Sequence, residues 1–386
     1  MTTKQKLSDV IQVNPRRQLK KGNIAPFVAM ENIVPYEKQI SEYTQRKISG
    51  SNSKFKNGDT LLAKITPSLE NGKTVFVDFL KKNEIGHGST EFFVLCGKEN
   101  QILDQFVYYL MRTSEFREEA IRSMTGTSGR QRVQETVFDD YEIILPTISI
   151  QEKISKPLSD LDAKIQNLRN QNRILEQMAQ AIFKSWFVDF DGVTEFEDSE
   201  LGKIPKGWRI GKIKDVIKIF DGKRIPLSTM ERENRKGNIP YYGATTIIDF
   251  IDNHIFDGKF LLLGEDGSVV HDDGTPFIQY VSGKFWVNNH AHVIQGKNSF
   301  NTEIIYLFFK NLNIHPWVTG AVQLKINQSN LLSIPIIIPN ENFLKKINQI
   351  TFPIFSNLLK NEKSISILTK TRDALLPKLM SGEIRV

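Results

Sequence analysis

The hydrophobic pattern changes period along the chain, and it does so the same way in both halves. Short runs of β-branched, aliphatic and aromatic residues come first, at Thr60 to Ile65, Thr74 to Phe79 and Glu91 to Leu95, separated by Gly, Asn and Ser. Runs of this length bounded by turn-formers predict strands. The segment Ile102 to Arg112 then spaces its apolar residues by three and four, which predicts a helix with one buried face. The same order returns later, with strands expected at Phe260 to Leu263, Phe277 to Val281 and Ala291 to Ile294 and a helix at Thr302 to Asn311. Each half reads as an α+β module.

The halves also match in sequence. Arg132-Val133 aligns with Lys325-Ile326, Pro146 with Pro339, and Gln151-Glu152-Lys153-Ile154 with Leu344-Lys345-Lys346-Ile347, all at one constant offset. Each proline closes an aliphatic run, Tyr141 to Leu145 in one copy and Ser333 to Ile338 in the other. Upstream, Lys6 to Ile11 resembles Lys212 to Ile217, and Lys21-Gly22-Asn23-Ile24 resembles Lys236-Gly237-Asn238-Ile239. Gly58 to Leu62 aligns with Gly258 to Leu262. A duplicated module points to one task carried out twice on different targets.

Beyond Pro157 the period becomes a heptad. Leu158, Leu161, Ile165, Leu168, Leu175, Ala179 and Ile182 form a narrow seam interrupted only by Asn172; Ile354, Leu358, Ile365, Leu368 and Leu375 repeat it, interrupted by Asn361. Alternation of three and four predicts a coiled coil in which a lone core Asn fixes register. Pro157 is expected to kink or break the helix. A helix packed only on its own module would explain an apolar stripe, but not a narrow seam in both copies. Antiparallel pairing buries both seams. About 28 residues at ~1.5 Å each make a rod of roughly 40 Å. That matches about a dozen base pairs at ~3.4 Å per step, a spacing suited to bipartite reading. The expected fold is thus two pseudosymmetric α+β domains separated by two long helices in an antiparallel coiled coil. The boundaries are 1–148, a helical region 149–190, 191–341 with a linker at 191–203, and a second helical region 342–386.

Composition narrows the partners. The 386 residues carry a net charge of +7 and a pI near 9.1, so polyanions are natural partners. No stretch approaches the ~18 apolar residues of a membrane span, and the polar segment Met1 to Val10 is not expected to be a signal peptide. The single cysteine, Cys96, lies in an apolar strand. Disulfides and cysteine-zinc sites are excluded, and a reducing cytoplasm is expected.

The residues then become recognisable. Leu175-Glu176-Gln177-Met178-Ala179-Gln180-Ala181-Ile182-Phe183-Lys184-Ser185-Trp186-Phe187-Val188-Asp189-Phe190 resembles the central conserved helix of type I restriction-modification specificity subunits. Gly202 to Trp208 with Lys212 to Val216 resembles the start of their second target-recognition domain, and Leu375 to Ile384 resembles their terminal helix and tail. The junction Leu145 to Ile154 and its copy fit as well, so the likeness covers essentially the whole chain. It implies two recognition domains, each reading one half of a split, asymmetric target in double-stranded DNA. It further implies helices that dock two methyltransferase subunits, which carry S-adenosylmethionine, and motor-nuclease subunits that can join. One departure is that the first module lacks a counterpart to Ile204-Pro205-Lys206-Gly207-Trp208.

In such a protein the polar loops are the candidate readers, because cations position DNA and Arg, Lys, Asn, Gln, Ser or Thr read base edges. Thr125 to Arg132 offers Thr127, Ser128, Arg130, Gln131 and Arg132 between glycines, and its counterpart Thr319 to Lys325 offers Gln323 and Lys325. Lys64, Thr66 and Ser68 occupy a proline-containing turn, Lys223 and Arg224 a glycine turn, and Tyr242 can place an aromatic at the groove. Lys21, with Arg16, Arg17 and Lys20, forms a charge run that reads as solvated or phosphate-facing.

Catalytic chemistry is missing from the pattern. There is no Gly-x-x-x-x-Gly-Lys-Ser/Thr loop, no Gly-x-Gly-x-x-Gly opening a helix, and no Asn/Asp-Pro-Pro-Tyr/Phe tetrapeptide. Asp139-Asp140 and Asp189 with Asp191 read as solvated caps and linker acids. Glu265 to Ser268 and Asp272 to Gly274 read as turns. His290 and His292 share a strand face, but without a carboxylate pair nearby no metal site is expected. The chain is therefore expected to be non-catalytic and to bind no cofactor itself. Three alternatives keep parts of this picture: a specificity subunit for a fused nuclease-methylase, a bivalent protein-binding coiled-coil scaffold, and a self-sufficient nuclease.

Overall fold

The computed structural model describes residues 4–40, 42–49, 52–320 and 322–386. Ala321, within the loop Thr319 to Lys325, and residues 1–3 lie outside the described residues. The chain divides into two units, residues 1–169 with 363–386, and residues 170–362. Each unit is one module plus part of each long helix. The contacts thus group three consecutive sequence segments into two bodies.

In the first unit, β1 (Lys4–Lys6), α1 (Leu7–Val10), β2 (Ile11–Val13), β3 (Ile24–Val28), β4 (Thr44–Lys47) and β5 (Ser53–Phe55) precede β6 (Thr60–Ala63), β7 (Thr74–Phe76), β8 (Gly86–Gly88) and β9 (Phe92–Gly97). Then come α2 (Asp104–Met111), α3 (Ser114–Arg122), α4 (Val137–Asp140), β10 (Glu142–Ile144) and the long α5 (Ile148–Phe183). One sheet has the order β2-β9-β6-β7, the other β4-β3-β8-β5, and β1 pairs with β10.

The second unit contains β11 (Phe196–Ser199), β12 (Gly202–Pro205), β13 (Arg209–Lys212), α6 (Ile213–Val216), β14 (Ile217–Ile219), α7 (Thr229–Glu233), β15 (Lys236–Tyr242) and β16 (Ile247–Ile251). These are followed by β17 (Phe256–Gly264), β18 (Ile278–Val287), β19 (Ala291–Gly296), α8 (Thr302–Lys310), α9 (Gln328–Ser333), β20 (Pro335–Ile338) and α10 (Glu341–Met380). Its main sheet runs β14-β19-β17-β18-β15-β16. The α+β class and the duplication match the sequence expectation, and so do the helices at α2 and α8.

Backbone pairing fixes the correspondence between the copies. Thr60 lies opposite Leu95, and Leu95 opposite Val13; Leu261 lies opposite Ile294, and Ile294 opposite Ile219. Thr60 therefore corresponds to Leu261 and Leu61 to Leu262, one residue away from the alignment of Gly58 to Leu62 on Gly258 to Leu262. A one-residue slip exchanges the two faces of a strand. Leu61, Leu62 and Leu261 to Leu263 are all buried, so no apolar–polar alternation is present to set the phase.

Two further expectations are corrected. Pro157 neither breaks the helix nor marks its start, because α5 begins at Ile148 and runs through it. The missing hydrogen bond costs ~3 kcal/mol, but Ile154 and Leu158 on either side are buried in the core of the first unit, and that packing holds the helix together. The segment 191–203 is not a plain linker, since β11 and β12 pair as an antiparallel hairpin.

The helix pair is built into both cores. In the first unit Ile154 and Leu158 of α5 share a core with Leu376 and Leu379 of α10. In the second, Ala179 and Phe183 share one with Leu344, Ile347 and Ile354. Asn361 donates to the Asn172 side-chain oxygen at 2.9 Å and Asn172 to the Leu358 carbonyl at 3.4 Å, so the two seam asparagines satisfy each other across an antiparallel pair. Among the remaining seam residues, Ile165, Leu168 and Ile354 are buried and Leu161, Leu175, Ile182, Leu358, Ile365, Leu368 and Leu375 are half-buried. At the end of α5 a π-helical turn, Lys184–Val188, turns Phe187 against Trp208 and Phe343. The Ser-Trp-Phe-Val-Asp-Phe motif is thus an aromatic clamp.

Candidate nucleic-acid interface

In the first unit the loop Thr125 to Arg132 is a tight hairpin. Thr125 and Arg132 exchange backbone hydrogen bonds at 3.0 and 2.9 Å, and Gly126 and Gly129 take positive φ. Main-chain bonds moor it to the end of β6: Thr66 N–H to Gln131 C=O at 3.0 Å and Val133 N–H to Lys64 C=O at 2.8 Å. This brings Lys64, Thr66, Ser68, Thr127, Ser128, Arg130, Gln131 and Arg132 together. Thr127, Ser128, Arg130 and Arg132 are exposed, while Gln131 is half-buried.

Their side chains are not equally free. Arg132 binds Glu91 through both Nε and Nη2, and this hydrogen bonding holds the Glu91 carboxyl below its usual range. Thr66 donates its hydroxyl to Glu70 at 2.9 Å, so it serves the turn. Arg130 makes no side-chain hydrogen bond or ion pair among the described residues and is the unengaged cation of this hairpin. Lys64, over the Phe93 ring, lines an open cleft of about 650 Å³ with Asn14, Arg16, Lys54 and Thr90. Asn14, Lys54 and Thr90 were not anticipated; they come from separate loops, and no local pattern marks them. Arg17 is corrected: it is not solvated but paired with the buried Asp59, whose carboxyl burial pushes up to about 6 even so. Lys21 is exposed in the turn before β3 and is not among the cleft residues.

The second unit repeats the scaffold with other side chains. Thr319 and Lys325 exchange hydrogen bonds at 2.8 and 2.7 Å, Gly267 N–H meets Leu324 C=O at 3.0 Å, and Ile326 N–H meets Glu265 C=O at 2.9 Å. Lys64 N–H bonds Glu91 C=O, and Glu265 N–H bonds His290 C=O. Lys64, Glu91 and Arg132 therefore occupy the positions of Glu265, His290 and Lys325, so the charges are redistributed on the same set of seating main-chain bonds, although the second hairpin is one residue shorter. Gln323 is exposed, and Lys325 lies 3.5 Å from Glu265.

Two candidates there change role. Arg224 is engaged by Glu265 at 2.6 Å and the Ala291 carbonyl at 2.8 Å; it braces the loop, and of the two cations Lys223 is the exposed one. Tyr242 packs edge-on against Phe285 and faces another cavity. His292, considered in the sequence without a carboxylate pair, comes within 4.8 Å of Asp221 and Glu265. Its Nδ1 meets Asp221 at 2.6 Å and its Nε2 the Ile326 carbonyl at 2.8 Å. Burial alone would raise Asp221, but bonds from His292, the Val293 N–H and Gln328 hold its carboxyl below the usual range. With Arg224 on Glu265, both carboxylates already have cationic or N–H partners. Asp139 and Asp140 are exposed at the end of α4.

Two copies of one module, each grown onto part of a long helix pair and each presenting a moored hairpin of small, polar and cationic residues, define a duplicated recognition protein. The family model described as type I restriction modification DNA specificity domain matches the chain twice, over residues 3–177 and 205–369, and the chain belongs to that family. The specificity subunit of type I restriction enzyme MjaIX from Methanocaldococcus jannaschii is 31% identical over 307 residues, 74% of this chain and 70% of the relative. The HindI specificity subunit of Haemophilus influenzae is 26% identical over 420 residues, covering 86% and 87%. The fold is shared with the crystal structure of a type I restriction-modification system S subunit from M. genitalium, with a TM-score of 0.55 at 17% identity over 98% of this chain and 95% of that one.

Proposed function

We propose that this chain supplies DNA-sequence specificity to a type I restriction-modification complex, each module reading one half of a split, asymmetric target. One observation carries the reading: the same main-chain bonds seat a hairpin in both modules, with Lys64, Glu91 and Arg132 exchanged for Glu265, His290 and Lys325. Identical mooring with different side chains is what reading two different half-sites requires. The exposed Arg130, Gln323 and Lys325 suit base edges, whereas Lys64, Arg16, Lys54 and Lys223 suit phosphates.

In this reading the chain is non-catalytic. The Asp221, Glu265 and His292 group is bonded to Arg224 and Gln328 and serves as a brace. Two methyltransferase subunits dock on the helices and carry S-adenosylmethionine, a motor-nuclease can join them, and the complex works in the cytoplasm. No described helix is long and apolar enough to cross a membrane. The test is co-expression with a cognate methyltransferase in a methylation-free host, followed by mapping of modified adenines. A split, asymmetric motif that depends on this chain supports the reading. Co-purification without new methylation would favour a protein scaffold instead.

A further inference from the structure

The first unit buries a lysine where the second leaves a cavity. Lys38 is buried, with its ammonium 5.1, 5.6 and 5.2 Å from the ring centroids of Phe76, Tyr108 and Tyr109, and it donates to Ser159 Oγ at 3.0 Å. Phe76 lies opposite Thr60, and Tyr280 lies opposite Leu261. Because Thr60 and Leu261 correspond, so do Phe76 and Tyr280. The helix partner corresponds too. Phe76 and Tyr108 meet at 6.1 Å and 67°, Tyr280 and Tyr306 at 5.9 Å and 65°. The second unit has kept the aromatic pair.

Beside that pair no lysine enters. A cavity of about 610 Å³ is lined there by Tyr280, Tyr306, Tyr242 and Phe355 together with Glu176 and Glu362. Glu176 accepts a hydrogen bond from Tyr306 at 2.7 Å. Glu362 has no hydrogen bond or ion pair among the described residues. Arg173 also lines the cavity but pairs with neither glutamate. Lys310 lies 5.6 Å from the Tyr306 ring without lining the cavity, and Lys259 is committed to Glu303.

We propose that this cavity binds an alkylammonium group supplied from outside the chain, held against the Tyr280 and Tyr306 faces with Glu362 and Glu176 as counter-ions. Aromatic faces flanked by carboxylates favour an organic cation, whereas hard divalent ions take oxygen ligands alone. Partial desolvation and the neighbouring Glu176 hold the Glu362 carboxyl above its usual range, and an ammonium group would relieve both effects. The buried Lys38 shows which cation this aromatic geometry accepts. The group can come from a free polyamine or from a lysine on a partner protein.

The full chain is titrated calorimetrically at constant ionic strength with spermidine and with Nα-acetyl-lysine methylamide. Saturable binding of one molecule per chain is expected, weakened about tenfold or more by Glu362→Gln. Glu362 is exposed, so the fold should survive, as circular dichroism would verify. Ile247→Lys, at the cavity wall, places an ammonium from within and should block both ligands. Much tighter spermidine binding identifies a free polyamine, and comparable binding of the lysine amide identifies a protein side chain. Absence of saturable binding, or binding indifferent to both substitutions, overturns the proposal. DNA affinity should not change in either variant, which separates this test from that of target recognition.

Discussion

Arg130 and Arg132 stand two residues apart in one hairpin and have different jobs. Glu91 occupies the fork of Arg132, so that side chain supports the loop, whereas Arg130 is exposed and unengaged. Arg130→Ala should cost about 1–3 kcal/mol of binding and relax one base position, as fluorescence anisotropy with target and single-substituted duplexes would show. Loss that is equal on every duplex would instead assign Arg130 to the phosphates. A second residue-scale expectation concerns pH. Asp221 is depressed in the folded chain, so its contribution to stability is present above the ordinary aspartate range and lost as pH falls through its lower folded value. Asp221→Asn should therefore lower the urea midpoint at pH 7, and the gap from the parent should shrink once the pH falls below the ordinary aspartate range. A gap independent of pH would mean that the carboxylate charge is not what stabilises the loop.

Among the elements, the long helices hold a polar connection that the heptad pattern hides. Arg372 on α10 donates to Asp162 on α5 at 2.6 Å, and the other Asp162 oxygen accepts from Tyr109 at 2.7 Å. All three are buried. Removing one partner strands a buried charge, so Arg372→Ala should destabilise by about 3–5 kcal/mol. Asp162→Ala combined with it should cost less than the two single changes together; urea denaturation of the four proteins in this cycle measures the coupling. Additive losses would show that Arg372 acts mainly by packing its stem. Such pairs are not legible in sequence, because Asp162 and Arg372 read as surface charges until the fold joins them. The long periodic elements were legible, including α2, α8 and most of the seam, because each buries one defined face. The sheet β4-β3-β8-β5 was not, since its strands have three to five residues, too few to establish a period. The hairpin loops were visible as polar glycine-containing stretches, but which of their side chains are free depended on Glu91 and Glu265, both distant in sequence from the cations they engage.

For the whole molecule, a net charge of +7 and cations on several loops predict affinity for DNA that falls steeply with salt. A drop on the order of a thousandfold between ~50 and ~200 mM is expected. Titrations at several salt concentrations give the slope, which neutralising Lys64 or Lys223 should reduce by about one each; a flat profile would contradict a phosphate-based interface. The mooring of the hairpins has a consequence for how such a protein changes over generations. Main-chain bonds seat each loop, through Lys64, Gln131 and Val133 in one copy and Glu265, Leu324 and Ile326 in the other, and the side-chain support falls at Arg132 and Arg224 rather than at the tip. Side chains at the tip are therefore released from any duty to the fold, and substitutions at Thr127, Ser128 and Arg130 can accumulate without a stability threshold to cross. On the proposed reading, a gene encoding this chain can drift to a new recognition sequence in single steps, each of them a folded protein.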